Sequence, residues 1–390
     1  MYNRTSVLER DDQIGMQYEA YTARSMINKF RHVDDWFWAS YTVNPYRGCA
    51  HGCIYCDARA NQYGLSGSFE DKVFVKENAV EVLERQLPRL ARKVVATGGV
   101  CDSYQPIEKK RLLTREVVEA LGRHGFPVEV LTKSDLVLRD LELYRGIDHQ
   151  SWACVFFTIT TFDEQIASRF EPGAAPPKRR LEALSRVAEA GLTTGVAMMP
   201  LLPGITDSDH NIKEVVVRVR EAGGQFILGG GLTLKEGSQR ERYTSFLELH
   251  YPQVLPLYSQ LYGGGFEPGA GYGPQLLRRI REACVESGIP DRMRRPLLAG
   301  DPLAGNKRIA EMLFLRAYDL LLEEAEGYRQ WAYRKAAWAI DEMDTDVHSI
   351  FQQQGRKGLE SIRGVGNMLA REIEGWLQSR DGVSAREAKR

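Results

Sequence analysis

The chain has 390 residues, which is enough for one large domain and a second, small one. Lys plus Arg and Asp plus Glu both number 52, so the net charge is zero and a basic nucleic-acid site has to be local. No apolar run approaches the roughly 20 residues that a bilayer span needs. The N-terminus carries charges where a signal peptide needs an apolar core, so we expect a cytoplasmic protein with no membrane partner.

Short apolar runs alternate with segments of helical period from about residue 90 to 235, and an earlier run at 40–48 leads into the cysteines. The runs suit buried strands, and the segments between them place apolar residues at i, i+3, i+4 and i+7. This pattern predicts an α/β fold whose core is a partial (β/α)6 barrel of the TIM type, with its site at the carboxyl ends of the strands. The predicted strand runs are SYTVNPYRG (40–48), KVVATGGV (93–100), PVEVLTKS (127–134), WACVFFTITT (152–161), TTGVAMMPLLP (193–203) and QFILGGGLTL (225–234).

Beyond about residue 250 this alternation stops. A glycine-rich stretch, LYGGGFEPGAGYGP (261–274), predicts a loop or a lid, and helical period returns from about residue 306. The predicted organisation is an N-terminal extension (1–39), the barrel (40–265), a Gly- and Arg-rich connecting segment (266–305), a small all-α domain (306–380) and a disordered tail (381–390).

Three of the six cysteines lie within eight residues, in the stretch NPYRGCAHGCIYCDAR (44–59). They are Cys49, Cys53 and Cys56. In a cytosolic chain of this size a clustered trio indicates a metal site and not a disulfide framework. Cys154 and Cys284 stand alone, and we expect them to be buried and inert.

The spacing C-x3-C-x2-C favours an iron–sulfur cluster. A closed zinc site takes four ligands, and the cluster offers only three cysteines. The alternative is therefore a zinc site whose fourth ligand is His51 or a distant residue. A four-iron cluster held by three cysteines keeps one iron open for a ligand that is not protein, which is typical of a reactive site. Gly48 and Gly52 let the loop wrap closely around such a cluster.

The same motif, with a strand before it and an aromatic residue before its third cysteine, resembles the radical S-adenosylmethionine (SAM) superfamily over about residues 40–265. The resemblance implies a [4Fe–4S] cluster bound by Cys49, Cys53 and Cys56, with SAM chelated to the open iron. It implies reductive cleavage of SAM to methionine and a 5′-deoxyadenosyl radical, which takes a hydrogen from the substrate. It also implies an electron donor such as flavodoxin or ferredoxin.

Within that superfamily, the sequence is most similar to the spore photoproduct lyase family, whose members reverse a UV-made thymine dimer in DNA. In that reaction a cysteine returns a hydrogen atom to the product. The similar stretches are NPYRGCAHGCIYCDAR, GVCDSYQPIEKKRLLTR, LTKS, FEPGAAPPKRRLEAL and PLLPGITD.

This resemblance implies catalytic roles for two residues. Cys101 lies close to where the lyase carries its hydrogen-donating cysteine, and a thiol S–H bond is weak enough to quench a thymine radical. Tyr55 matches a tyrosine that helps to relay the hydrogen atom. The alternative for Cys101 is a small residue that packs at a strand end without a chemical role.

The resemblance also implies SAM contacts. Lys133 matches a lysine that contacts SAM, and an ammonium there can pair with the SAM carboxylate. Thr158 matches a SAM-contacting serine, while Asp102 and Ser103 would lie in a strand-end loop near the SAM pocket. A solvated lysine and an ordinary strand threonine are the alternatives for Lys133 and Thr158.

One position departs from the lyase family. The lyase has a tyrosine after its third cluster cysteine, where this chain has Asp57, and a carboxylate cannot carry a hydrogen atom as a phenol can. We expect Asp57 to pair with Arg59 or to begin the next helix as its N-cap. Glu108 and Arg115 are interpreted as scaffold residues.

The C-terminal stretch GRKGLESIRGVGNMLAREIEGWLQ (355–378) resembles the helix-hairpin-helix motif of DNA repair proteins. Two short helices are joined by Arg363, Gly364, Val365 and Gly366. The glycines let backbone N–H groups close on a DNA phosphate without reading sequence, and Arg363 adds counter-charge. The alternative is an ordinary helical hairpin that binds no ligand.

Together, the two resemblances predict a radical SAM enzyme that acts on DNA and repairs a UV thymine lesion. Two alternatives stay open. One is radical SAM modification of RNA or of another substrate, and the other is a DNA-binding protein whose cluster is structural or senses redox state.

Overall fold

The structure is a computed structural model that describes residues 6–11, 15–59, 71–269 and 271–379. Its contacts divide the chain into two compact units. The first unit runs to Arg31 and again from Ala39 to Met293, and the second comprises His32–Trp38 and the chain from Arg294 onward. In the described ranges, none of the helices combines the length and the apolar character that a membrane crossing requires.

The first unit contains all the described strands. In chain order they are β1 (Ser6–Asp11), β2 (Met16–Tyr21), β3 (Ile27–Lys29), β4 (Tyr41–Val43), β5 (Tyr46–Arg47), β6 (Lys72–Lys76), β7 (Val95–Thr97), β8 (Val128–Thr132), β9 (Ala153–Thr158), β10 (Val196–Leu201) and β11 (Ile227–Gly231). Its helices are α1 (Ala79–Gln86), α2 (Glu108–Arg111), α3 (Leu113–Arg123), α4 (Leu141–Gln150), α5 (Glu164–Phe170), α6 (Pro177–Glu189), α7 (Asp209–Glu221), α8 (Ser238–His250), α9 (Leu255–Tyr262) and α10 (Tyr272–Ser287).

The main sheet has the order β11-β10-β9-β8-β7-β4-β3. Its six strands from β4 to β11 pair in parallel, and β3 adds an antiparallel edge. Each of the six predicted runs contains one of these parallel strands, and helices connect them as the crossovers that parallel pairing requires. Every residue of β9 is buried, as expected for a central strand covered on both faces. The predicted partial (β/α)6 barrel is confirmed.

The crossover helices bury one apolar stripe each. In α3, Val117, Val118 and Leu121 are buried at helical spacing, and the remaining face is polar. Ser208 caps the N-terminus of α7, because its side chain accepts a hydrogen bond from the N–H of Asn211. These local signals place the helices on the sheet and leave the carboxyl ends of the strands to the loops.

The predicted N-terminal extension is not a separate element in the described residues. The strands β1, β2, β6 and β5 form a second sheet in the order β1-β2-β6-β5, and β3 joins the main sheet. Sequence reasoning missed this small sheet, in which the buried Val73 and Val75 of β6 alternate with partly buried residues. The segment from Ser6 to Arg31 therefore belongs to the first unit.

The predicted connecting segment also differs from the structure. Its first part includes α10, which packs against α7 and β11. The helix buries Leu276 and Ile280, and a Cβ added at Gly229 of β11 would lie 2.4 Å from the Cδ1 of Ile280. The arginines of this segment had suggested a linker, but Arg278, Arg279 and Arg281 lie on the amphipathic helix α10. The first unit consequently extends to Met293.

The second unit is helical in its described part. Its helices are α11 (Ala304–Leu322), α12 (Gly327–Asp341), α13 (Val347–Glu360) and α14 (Asn367–Gln378). The segment His32–Trp38 packs with them, since the indole N–H of Trp338 donates to the carbonyl of Val33 at 3.1 Å. A positive φ of 61° at Gly355 kinks α13. The tail predicted at 381–390 lies outside the described residues.

Candidate metal centre and nucleic-acid interface

The cysteine loop (residues 48–56) follows β5 and is fixed by close backbone contacts. Gly48 has a φ of 87°, and a Cβ there would lie 2.7 Å from the carbonyl oxygen of Lys72. Gly173, on the loop after α5, approaches the cysteine loop so closely that its Cβ would lie 2.4 Å from the carbonyl oxygen of Ala50. The N–H of Gly173 also donates to the carbonyl of His51 at 2.9 Å. Only glycine suits these two positions.

The three clustered cysteines are free thiols. Cys49 and Cys53 are buried, and Cys56 is partly exposed. Burial raises the pKa of Cys53 well above its usual value, and burial together with the charge of Cys49 raises the pKa of Cys56 to about 11. These two thiols therefore keep their protons until a metal replaces them, which is the usual coupling of thiolate formation to metal binding.

His51 and Asp102 form a buried pair beside Cys49. The Nδ1 of His51 lies 3.4 Å from an Asp102 carboxylate oxygen. Burial alone would raise the pKa of Cys49, but the His51 imidazole outweighs this and lowers it. Burial likewise opposes ionisation of Asp102, yet His51 and hydrogen bonds from Lys133 and Thr132 hold its pKa at about 2.

Asp102 was predicted near SAM, and its carboxylate is engaged with the protein itself. It accepts hydrogen bonds from the hydroxyl of Thr132 (2.8 Å), the N–H of Lys133 (2.7 Å) and the N–H of Tyr104 (2.8 Å). Ser103 is fully buried next to it, and its hydroxyl shares a hydrogen bond with that of Thr97. Asp102 thereby fastens the loop after β7 to the carboxyl end of β8, and Ser103 fastens the same loop to the end of β7.

Lys133 and Thr158 lie at the ends of neighbouring strands. The ammonium of Lys133 is 5.6 Å from the centroid of the Tyr55 ring. Burial alone would lower the pKa of Lys133, but the nearby Cys53 and Glu171 raise it, so the side chain stays cationic beside the cysteine loop. Thr158 is buried, and its carbonyl accepts a hydrogen bond from Arg180 at 2.8 Å.

A buried triad of Tyr55, Glu171 and Arg180, here called the tyrosine anchor, holds the aromatic residue of the cysteine motif. The Tyr55 hydroxyl donates to one oxygen of Glu171, and the Arg180 guanidinium donates to the other. Burial opposes ionisation of the carboxyl, but Arg180 and Lys133 lower the pKa of Glu171, and burial raises that of Tyr55. The anchor is thus a neutral phenol on a charged, paired carboxylate.

Sequence reasoning missed Glu171 and Arg180, although both lie in the stretch FEPGAAPPKRRLEAL. One signal was present. Arg180 stands four and seven residues before Leu184 and Val187, on the apolar face of α6, where a charge is expected only if it has a buried partner.

Cys101 is buried at the end of the loop after β7. Its thiol donates to the carbonyl of Tyr46 at 3.2 Å. Burial and then the charge of Cys49 raise the pKa of Cys101, so the sulfur retains the hydrogen that a donor role requires. The structure therefore brings Cys101 close to the cysteine loop.

The residues after the third cluster cysteine have other partners than expected. Asp57 pairs with Lys235 at 2.7 Å, a partner that sequence reasoning did not foresee. The Arg59 guanidinium is buried and donates to the carbonyl of Cys53 at 3.3 and 3.1 Å. Burial lowers the pKa of Arg59 to about 10, although the cysteines of the loop oppose this shift. A second cation therefore lies beside the cysteines.

Glu108 and Arg115 make contacts that suit scaffold roles. Glu108 is fully buried and accepts hydrogen bonds from the N–H of Thr114 (2.6 Å) and the hydroxyl of Tyr46 (3.2 Å). Arg115 pairs with the buried Asp140 at 2.9 Å. Burial raises the pKa of Glu108 to about 7.

The hairpin of the second unit (residues 361–366) joins α13 to α14. Gly364 has a φ of 84°, and a Cβ there would be 3.8 Å from the Cβ of Lys335 on α12. Val365 is buried and anchors the turn, whereas Arg363 and Gly366 are exposed. No side chain caps α14, so its first N–H groups have neither an intrahelical acceptor nor a capping side chain. This is the geometry that presents N–H groups and a cation to a phosphate.

Comparison with known proteins agrees with both sites. Residues 43–216 match the sequence model of the radical SAM superfamily, and residues 304–381 match that of a helix-hairpin-helix domain. The chain therefore belongs to the radical SAM superfamily and carries a helix-hairpin-helix domain at its C-terminal end. Members of the superfamily use a [4Fe–4S] cluster and SAM, as the sequence had predicted.

Two curated relatives carry the name of uncharacterized proteins. A protein of Mycobacterium tuberculosis is 32% identical over 276 residues, which cover 69% of this chain and 77% of the relative. A protein of Methanocaldococcus jannaschii is 30% identical over 225 residues, which cover 57% of this chain and 80% of the relative.

Solved structures of spore photoproduct lyase share the fold. The lyase complexed with dinucleoside spore photoproduct has a TM-score of 0.53 and 15% identity, over 70% of this chain and 80% of the lyase. A lyase mutant with bound AdoMet and dinucleoside spore photoproduct has the same score and identity, over 74% and 86%. At this identity the likeness concerns the fold alone.

The residues present fit the cluster that the family uses. Three thiols suit soft iron, and the cations Arg59 and Lys133 lie where their charge offsets that of an anionic cluster. In the described ranges, no three His, Cys, Asp or Glu side chains converge on the position of one metal ion.

Proposed function

We propose that this radical SAM enzyme acts on DNA and that its reaction is repair of a UV thymine lesion. The observation that carries the proposal is the combination in one chain of a spore photoproduct lyase-like radical SAM fold and a helix-hairpin-helix domain. The fold alone serves many substrates. The second domain supports a nucleic acid among them, because its motif grips phosphates without reading sequence.

The proposed roles of the first unit follow from its geometry. Cys49, Cys53 and Cys56 hold the cluster, and Lys133 offers its ammonium to the SAM carboxylate from the end of β8. Thr158 lines the same end of the sheet one strand farther on. When bound, the cluster and SAM supply a carbon radical that removes hydrogen from a substrate. The electron would come from a donor such as flavodoxin or ferredoxin.

Cys101 is the proposed hydrogen donor to the product. It lies near the cysteine loop, and its raised pKa keeps the S–H bond intact at neutral pH. Tyr55 is less suited to a relay, because its hydroxyl hydrogen bonds to Glu171. With Asp57 paired to Lys235 on the other side of Cys56, the hydrogen path rests on Cys101.

The second unit would hold the duplex. The exposed Arg363 and the N–H groups at the start of α14 are the proposed phosphate contacts, and Gly364 and Gly366 allow the approach. Val365 keeps the turn in place by burial. Because these contacts are to phosphates, lesion choice would have to come from the first unit.

One experiment tests the substrate. The anaerobic protein, reconstituted with iron and sulfide, receives SAM and dithionite with and without UV-irradiated DNA, and mass spectrometry follows 5′-deoxyadenosine and the DNA digest. Loss of a thymine photoproduct that depends on SAM supports the proposal. SAM cleavage with unaltered DNA would overturn the DNA assignment and direct the search to RNA or to another substrate.

A variant tests the hydrogen donor. With Cys101→Ala we expect cleavage of SAM to continue while the product radical is diverted into side products. Cys284→Ala is the matched control, because Cys284 is also a buried single cysteine but lies on α10. Clean product from Cys101→Ala would assign the hydrogen transfer to another residue.

A further inference from the structure

We propose that Glu171 is a positioning residue for the cysteine loop. The hydrogen bond from Tyr55 to Glu171 fixes a residue that lies between Cys53 and Cys56. It thereby sets the direction in which these two cysteines face the cluster. The inference rests on membership of the radical SAM superfamily and is independent of the DNA substrate.

The tyrosine anchor is fixed at both ends. Glu171 cannot swing away, because Arg180 binds its second carboxylate oxygen. Arg180 is fixed in turn, since its Nε donates to the carbonyl of Ala175 at 2.6 Å and its NH1 to that of Thr158 at 2.8 Å. A continuous line of hydrogen bonds therefore runs from the end of β9 to the phenol between two cluster ligands.

Two backbone hydrogen bonds dock the same loop onto the same segment. The N–H of Ile54 donates to the carbonyl of Phe170 at 2.9 Å, and the N–H of Gly173 donates to the carbonyl of His51 at 2.9 Å. Glu171 lies between these two points in the chain. The side-chain contact adds a third point, so the loop is held against rotation as well as translation relative to residues 170–173.

The anchor also sets the charge beside the cluster ligands. The carboxylate of Glu171 balances the guanidinium of Arg180, and Lys133 adds a further cation near the Tyr55 ring. Adding an electron makes a cluster more negative, so removal of the carboxylate should favour the reduced state. If the pair of Glu171 and Arg180 served only to stabilise the fold, its removal would not have to change the reduction potential of the cluster.

Tyr55→Phe tests the positioning contact, because it removes the hydroxyl and keeps the ring. We expect alkylation of the thiols in the metal-free protein to become up to about tenfold faster. Buried thiols react when the loop opens, and the loss of one buried hydrogen bond raises the population of the open loop by up to that factor. We also expect a broadened electron paramagnetic resonance spectrum of the reduced cluster in the presence of SAM. Tyr243→Phe is the matched control, since Tyr243 is buried in the same apolar cluster and its hydroxyl bonds that of Tyr258 at 2.7 Å.

Glu171→Gln tests the charge. We expect the midpoint potential of the cluster to move to a more positive value, and the double variant Glu171→Gln with Arg180→Met to move it back toward the wild type. The double variant also removes the unpaired buried guanidinium, so it serves if the single variant does not fold. Glu108→Gln, a buried Glu with other partners, should leave the potential unchanged. Wild-type alkylation rates in Tyr55→Phe together with a wild-type potential in Glu171→Gln would overturn the proposal.

Discussion

The cysteine loop and the hairpin are both short glycine-containing turns, but they are held in different ways. The cysteine loop takes its contacts from distant parts of the first unit, including a hydrogen bond of 3.0 Å from the N–H of Ala50 to the side chain of Gln105 and those to residues 170–173. The hairpin depends chiefly on the left-handed backbone conformation of Gly364 and on the buried Val365. The conformation of the loop proposed to orient metal ligands thus depends on long-range contacts, whereas that of the loop proposed to offer N–H groups to phosphates depends mainly on local ones.

The largest expected effect tests whether the two regions act separately. Replacing Cys49, Cys53 or Cys56 with Ala should abolish the cluster and reductive SAM cleavage, because the proposed protein ligand set consists of these three thiolates. Binding to duplex DNA should remain, as measured by fluorescence anisotropy. Iron content and 5′-deoxyadenosine are the primary measurements, and Cys154→Ala is the control. Retained turnover in any of the three variants would contradict the assignment of the ligands.

Glu108 gives the next largest effect, on the stability of the first unit. Burial raises its pKa from 4.5 to about 7, so between these pH values the folded protein keeps a proton that the unfolded chain has lost. The contribution to stability is therefore complete below pH 4.5 and is lost as pH rises through about 7. Relative to Glu108→Gln, the wild type should lose on the order of 3 kcal/mol of unfolding free energy over this window.

Urea unfolding at pH 5 and at pH 7.5 measures this difference. A parallel pH dependence of the wild type and of Glu108→Gln would show that the carboxyl is already ionised in the folded protein. Binding of DNA by the second unit should not follow the same titration, which sharpens the separation of the two regions.

Gly364→Val should affect only the hairpin. A φ of 84° is unfavourable for valine, so the turn should shift and remove a phosphate contact. We expect duplex affinity to fall about tenfold, which corresponds to about 1.4 kcal/mol, while iron content stays at the wild-type level. Gly375→Ala in α14 is the matched control, because nothing lies within 4 Å of its added Cβ. Unchanged affinity in Gly364→Val would make the hairpin a packing element.

The two regions also differ in how far the sequence predicts them. The spacing of the cysteines and the glycines of the hairpin are local patterns, and the six strand runs are local as well, so these elements could be predicted. The small sheet could not, because β2 and β6 pair in parallel across more than 50 intervening residues, and neither run is long. Local alternation identifies a strand but does not identify its partner.

The tyrosine anchor shows the same limit at the site. Tyr55 and Glu171 are 116 residues apart, and a glutamate after Phe170 gives no sign of burial on its own. The motif predicts the ligands of the cluster, whereas the contacts proposed to orient them depend on how the loop after α5 returns to the cysteine loop. The packing of these two loops against each other is determined by the whole barrel and not by any short stretch of sequence.

The smallest expected effect concerns the outer edge of the cysteine loop. Asp57 and Lys235 form a pair whose side chains are 44% and 24% exposed, and solvent-exposed ion pairs of this kind contribute about 0–1 kcal/mol. Asp57→Asn should therefore change the unfolding free energy by less than about 1 kcal/mol and leave the cluster intact. A double-mutant cycle with Lys235→Met measures the coupling directly. A coupling well above that value, or loss of the cluster in Asp57→Asn, would mean that the long-range specification of this loop extends past Cys56 to its outer edge.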